Sequence, residues 1–187
     1  MSKKNISTVS DCLPFDSTLN KANKILKSDK QYKIAFLVIL GINVGLRISD
    51  LRKLTFEDLE NDNVTLIEKK TKKIRKIQFN DNVMNALPVY KKRNQISTGY
   101  LFLSNRNTIL SIQYINKTIK RLFGSPKLNV SSHSLRKTFG RRVWDSNGQT
   151  DAALVFLSEI FNHSSVSETR KYLGIRQEQL ADIYMKL

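Results

Sequence analysis

The sequence holds one cysteine, two histidines and three prolines in 187 residues, and its 16 acidic side chains are half as many as its 32 basic ones. A lone cysteine, Cys12, excludes an internal disulfide framework and any cysteine-based zinc site, and fits a reducing compartment. Long apolar runs are also missing. The longest, from Ile34 to Val44, falls short of the roughly 18 residues a membrane span requires, and the amino terminus MSKKNISTVSDC has no apolar signal core. The expectation is a soluble, cytoplasmic protein. The shortage of acid leaves a formal charge of +16 and a pI near 10, which points to a polyanion, with nucleic acid first, as partner. A Lys-rich composition with solvated lysine faces is the plainer alternative. The length suits one domain, or a domain with a short arm.

Residues 1–16 are polar, include Pro14 and lack sustained periodicity, so they read as an arm or linker stub. From Ser17 the apolar positions Leu19, Ala22, Ile25 and Leu26 recur at helical spacing, and Ile34 to Val44 reads as a second, largely buried helix. More helix is expected in ISDLRKLTFEDLE, where Thr55 and Asp58 form a capping pair and Leu51, Leu54 and Leu59 face a core. The period then changes. Val64 and Leu66, and Ile74, Ile77 and Phe79, mark two strands around a polar turn, Lys69 to Lys73, predicting a β-hairpin. Helical spacing returns after Asp81, is disturbed at Pro88, and resumes from Ser111 through Ile112, Ile115, Ile119 and Leu122 to a stop at Gly124. Ser132 is expected to cap a helix holding Leu135, Phe139 and Val143, followed by another from about Ala152 to Phe161. Trp144, Phe139 and Phe156 read as core aromatics. The fold class is mainly α with one small antiparallel sheet, without internal repeats.

The scarce histidines stand in motif-like settings, His133 in SSHSLRKTF and His163 in FNHSSVSETRKYLG. His133 and Arg136, three apart, share a helix face; taken alone, the pair is equally at home as a structural or surface contact. Tyr172 follows His163 in a stretch that a loop and a short helix can fold together; taken alone, it fits a core aromatic.

Joined by NVGLRISDL around Arg47, in this order, these segments resemble the tyrosine recombinase, or lambda-type integrase, family over roughly Ser17 to Leu187. The family carries an arginine in a GLR-x-S-[ED]-L segment, a lysine on a β-hairpin, an H-x-x-R pair, a histidine in an LGHSS-like segment and a tyrosine nine residues later. The matching residues here are Arg47, His133, Arg136, His163 and Tyr172. Among Lys69, Lys70, Lys72, Lys73, Arg75 and Lys76, which crowd the hairpin turn, Lys70 resembles the family lysine best, with Lys73 as the alternative. The departures are FNH in place of LGH, through Phe161 and Asn162, and Lys137 where many members have a second histidine.

The resemblance implies a catalytic domain over residues 17–174 that cuts and rejoins double-stranded DNA through a 3′-phosphotyrosyl bond to Tyr172, without metal, ATP or other cofactor. Arg47 and Arg136 then clamp the phosphate, His133 moves the phenol proton, His163 donates to the phosphate, and Lys70 protonates the departing 5′-hydroxyl. Asp50 is expected to brace the arginine-bearing helix. Lys69, Lys72, Lys73, Arg75, Lys76 and Arg141 are candidate DNA contacts; Lys91, Lys92, Arg93 and Arg142 are either phosphate contacts or solvated. Rival readings are a catalytically silent DNA-binding regulator of the same fold and a type IB-like topoisomerase. Residues before Ser17 are too few for the amino-terminal core-binding domain of most members, which leaves a short member or a fragment. The segment 175–187 places Ile175, Leu180, Ile183, Tyr184 and Leu187 largely on one helical face. That helix either completes its own core or is exchanged between protomers of a tetramer on DNA.

Overall fold

A computed structural model of the chain describes residues 10–60, 63–67, 74–175 and 184–186. Within them the helices are α1 (Phe15–Ser28), α2 (Tyr32–Val44), α3 (Ile48–Leu51), α4 (Phe56–Glu60), α5 (Asp81–Asn94), α6 (Ile112–Phe123), α7 (Ser132–Ser146), α8 (Asp151–Phe161) and α9 (Val166–Leu173). Strands β1 (Asn63–Ile67) and β2 (Ile74–Gln78) pair antiparallel in the register Thr65↔Lys76. The mainly α architecture with one hairpin is as the sequence predicts. No helix among the described residues is long and apolar enough to cross a membrane.

The helix α2 is the axis of the main core. Every residue from Ile34 to Val44 is buried, and α1, α5 and α7 pack around it. A helix apolar on all sides belongs inside, because each face removes hydrocarbon from water. Its one polar buried side chain, Asn43, accepts at Oδ1 from Asn80 Nδ2 at 2.8 Å, Asn82 Nδ2 at 3.2 Å and Arg142 Nη1 at 3.1 Å, tying α2 to α5 and α7. Gly41 and Gly45 let α7 approach: a Cβ on Gly41 would lie 2.7 Å from Leu135, and one on Gly45 would lie 2.2 Å from Phe139. Gly45 also has φ +60°, a conformation that favours glycine. A second, smaller core forms where Trp144 of α7 meets Leu154, Leu157 and Phe161 of α8, with Leu173 and Ile175.

Capping follows side-chain chemistry. The expected pair at α4 is present, with Thr55 N–H donating to Asp58 Oδ2 at 2.8 Å and Asp58 N–H to Thr55 Oγ1 at 3.2 Å. Ser111 caps α6 and Gly124 ends it. At α7 the cap is Ser131 rather than Ser132, in a capping box with Ser134. Three further expectations need correction. First, α5 runs unbroken through Pro88, because burial of Val83, Ala86, Leu87 and Tyr90 along one face outweighs the single backbone bond a proline removes. Second, Phe156 is 62% exposed and Val155 46%, since α8 turns Ala153, Leu154, Leu157 and Phe161 inward instead. Third, the end of the expected arm is docked. Asp11 N–H donates to Asn129 O at 2.9 Å and Leu13 N–H to Thr138 Oγ1 at 2.8 Å, with Leu13 buried. Its apolar side chain joins the main core.

Candidate active site

Arg136 projects from the second turn of α7 and is only 4% exposed. Its charge is held by backbone: Nη1 donates to Gly45 O at 2.7 Å and Nη2 to Phe161 O at 2.9 Å, with the guanidinium 4.3 Å from the Phe161 ring centre. Arg47, half-buried in the extended residue before α3, donates from Nη2 to the same Phe161 oxygen at 2.9 Å. Both cations therefore converge on the last carbonyl of α8, where the helix dipole is negative.

Asn162, left-handed at φ 49°, turns the chain out of α8, and His163 N–H donates to Ser158 O at 3.0 Å. His163 Nδ1 shares a 2.9 Å hydrogen bond with the buried Thr169 hydroxyl. Ser165 caps α9 through its bond to Glu168 N–H, so the histidine loop and the tyrosine helix form one unit. Tyr172 stands edge-on to His163 and Phe161, with ring centres 5.3 and 5.6 Å away. A Cβ on Gly140 would lie 2.7 Å from Phe161 and 2.9 Å from Leu173, so glycine there lets α7 meet α8 and α9.

Arg47, His133, Arg136, His163 and Tyr172 all line one cleft of about 540 Å³, with Ser132, Asn162 and Glu168 on its wall. Burial pushes the Tyr172 phenol up to about 12, against the lowering pull of Arg136 and Arg47. Its hydroxyl is buried and makes no hydrogen bond to any described residue. Desolvation lowers His133 below the usual imidazole range, helped by Arg136 and Lys137. Desolvation also lowers His163, with Arg136 and Arg47 acting in the same direction and Glu168 opposing. At neutral pH both imidazoles are uncharged, able to accept a proton or donate a hydrogen bond. Two guanidiniums, two neutral imidazoles and a phenol around one cleft can hold a phosphodiester and present it to a nucleophile.

Lys69, Lys70, Lys72 and Lys73 lie outside the described residues. Arg75 and Lys76 belong to β2, where Lys76 is exposed. Arg141 sits outside the cleft, 3.3 Å from Asp145 and over the Trp144 ring. Arg142 and Arg93 have structural partners, Phe15 with Asn43 and Tyr32 with Leu26 O, while Lys91 pairs with Glu60. Sequence reading missed the Thr169 bond and the burial of Lys137. A threonine three residues before the tyrosine, facing the same way, was the available signal for the first. Among the described residues no group of three or more His, Cys, Asp or Glu side chains could hold a metal ion.

The family described as the phage integrase family matches residues 16–179. The chain belongs to this family: it is a tyrosine recombinase catalytic domain, of the class that cleaves and rejoins DNA strands. A probable integrase/recombinase, YoeC of Bacillus subtilis (strain 168), is 34% identical over 159 residues, covering 83% of this chain and 85% of YoeC. The fold is that of the XerA recombinase crystal structure, with a TM-score of 0.69 at 23% identity over 97% of this chain and 65% of XerA. It is also that of a XerH site-specific recombinase bound to palindromic difH substrate in a post-cleavage complex, with a TM-score of 0.66 at 19% identity over 98% of this chain and 56% of XerH. The chain thus spans most of YoeC but less than two thirds of either Xer structure.

Proposed function

We propose that this chain is the catalytic unit of a site-specific recombinase that breaks and rejoins double-stranded DNA through Tyr172. The observation that carries the reading is the single cleft lined by Arg47, His133, Arg136, His163 and Tyr172, in a chain of formal charge +16. Five groups from sequence positions 47 to 172 have no reason of packing to converge on one opening. A structure of the same fold, the Tn1549 transposon integrase, is in complex with circular intermediate DNA, and the same kind of partner suits this basic chain.

In the cleavage step the Tyr172 oxygen attacks the scissile phosphorus while its proton passes to neutral His133. The phosphorus–5′-oxygen bond breaks, and the departing oxygen takes a proton from Lys70 on the hairpin. Arg47 and Arg136 balance charge on the non-bridging oxygens. When the Thr169 hydroxyl donates to Nδ1, the His163 proton is fixed on Nε2, which then donates to the phosphate. Rejoining is the reverse, so the phosphotyrosyl bond keeps the phosphodiester energy. The segment 175–187 links protomers on DNA in this reading; Leu180 and Ile183, its expected anchors, lie outside the described residues. Ile175 is buried in its own domain, while Tyr184 is 76% exposed.

The experiment is to express the chain in cells, lyse under denaturing conditions, recover DNA covalently held by the protein, and sequence it. One recurrent junction, and no relaxation of plasmids lacking it, is the expected result. Absence of covalent DNA favours the silent regulator; relaxation of any supercoiled plasmid favours the topoisomerase.

A further inference from the structure

Lys137 is 7% exposed and makes no hydrogen bond or ion pair with any described residue, although a buried ammonium is costly without a partner. Its nitrogen stands 5.4 Å from the centre of the Tyr172 ring. The stem alone would pack as well in methionine or leucine, so packing does not explain the charge. Lys137 also follows His133 by one helical turn of α7 and is next to Arg136, which places three cationic or titratable groups along the tyrosine. From the other side, the segment before α1 is fastened to α7 through Leu13 N–H and Thr138.

We propose that Lys137 is a positioning residue for the nucleophile: its ammonium, set over the Tyr172 ring, holds the phenol in the cleft and favours its ionised form as the oxygen attacks phosphorus. This inference rests on the reading of Tyr172 as nucleophile and adds a fourth cation to that site. The Tyr172 hydroxyl is buried without a hydrogen bond to a described residue, and the Lys137 nitrogen, 5.4 Å from the centre of the same ring, makes none either. A developing phenolate adds a negative charge beside the ammonium to the pull that Asp11 and Cys12 already exert. The groups facing Lys137 are Asp11 and Cys12 from the segment before α1, His133 and Arg136 on α7, and Tyr172 on α9. Burial lowers the Lys137 ammonium, while Cys12 and Asp11 act to keep it charged. Lys137 transfers no proton here. The phenol proton still passes to His133, and the leaving oxygen is still served from the hairpin.

The test uses Lys137→Met, which keeps the stem and removes the charge, and Lys137→Arg, which restores it. The substrate is a nicked duplex carrying the junction recovered from cells. Single-turnover attachment by Lys137→Met should be slower by about tenfold or more at pH 7, as expected when a cation is lost beside an ionising group. The gap should narrow as pH rises, DNA affinity should stay within about twofold, and Lys137→Arg should recover most of the rate. A substrate with a bridging 5′-sulfur, whose thiolate leaves without a proton, should not rescue Lys137→Met if the lysine serves the nucleophile. A second readout needs no DNA: a fluorinated tyrosine at position 172, followed by fluorine NMR, should titrate about one unit higher in Lys137→Met than with Lys137 present.

Equal rates at all pH, a loss of equal size at every pH, rescue by the sulfur substrate, or an unmoved fluorine titration would each overturn the inference. If the wild-type chain attaches no DNA, the proposed function falls instead, and the fluorine titration alone decides the role of Lys137.

Discussion

The frame that carries the arginines and the arm that carries the tyrosine meet in one cleft but hold their polar groups in opposite ways. In the frame, around α2 and α7, Arg136 is spent twice on backbone carbonyls and braced by an aromatic ring. In the arm, α8 and α9 pack in a small separate core, and the Tyr172 hydroxyl is buried without a described partner. Charge stabilisation built in advance needs no reorganisation when a phosphate arrives. In the proposed reading, a phenol pushed up to about 12 by burial stays inert as a nucleophile until something ionises it. On the proposed function, the free protein is therefore prepared to bind a phosphodiester before it is prepared to cut one.

The comparison breaks most severely at Arg136. Arg136→Ala should lower single-turnover cleavage by about a thousandfold, near 3–4 kcal/mol for one lost donor at the reacting oxygens. It should also lower the melting temperature, because the Gly45 carbonyl loses its donor while Phe161 O keeps only Arg47, at roughly 1–3 kcal/mol for a buried group left unsatisfied. Arg47→Ala should fall about a hundredfold in rate with a smaller loss of stability, since Arg47 is half-buried and shares Phe161 O with Arg136. A variant of either that cleaves normally removes the clamp from the account.

In the arm, Thr169→Val should cost about tenfold in cleavage with the fold intact, as one hydrogen bond that orients His163 is worth about 1 kcal/mol. An unchanged rate would mean that the His163 tautomer is set elsewhere. The pH profile sharpens the same contrast. His133 is lowered in the folded chain, so it stays neutral until pH falls below the ordinary imidazole value of about 6.5. Cleavage should therefore hold from neutrality down to that value and fail below it. The stability linked to neutral His133 and His163 likewise is present above the unfolded imidazole value and is lost as pH falls towards the folded one. An acid limb centred above pH 7 would contradict the assignment of His133. The smallest effect belongs to Phe156→Ser, which should leave melting nearly unchanged because Phe156 is 62% exposed.

Local periodicity made much of the frame legible. The stripe Ile115, Ile119 and the Gly124 stop gave α6, Thr55 with Asp58 gave the start of α4, and an all-apolar run gave the buried α2. The cleft was legible by motif, through Arg47, His133, Arg136, His163 and Tyr172, but its geometry was not. The bond from Arg47 to Phe161 spans 114 positions and leaves no local pattern. Phe156 failed because apolar identity does not say which face of a helix turns inward. Ser10 to Pro14 failed because a polar, aperiodic segment can still be fixed by backbone bonds such as that from Asp11 to Asn129. Lys137 was noticed as a departure from family pattern, yet its burial depends on α9 and on the segment before α1, far away in sequence.

The most direct measurement of the central claim is the identity of the residue bonded to DNA. Trapping the chain on a nicked duplex bearing its own junction, digesting the adduct and mapping it by mass spectrometry should place the nucleotide on Tyr172. Tyr172→Phe should then form no adduct while binding the duplex with nearly unchanged affinity, since the phenol adds nothing to the charge field. A nucleotide found on any other residue, or an adduct persisting in Tyr172→Phe, would contradict the account.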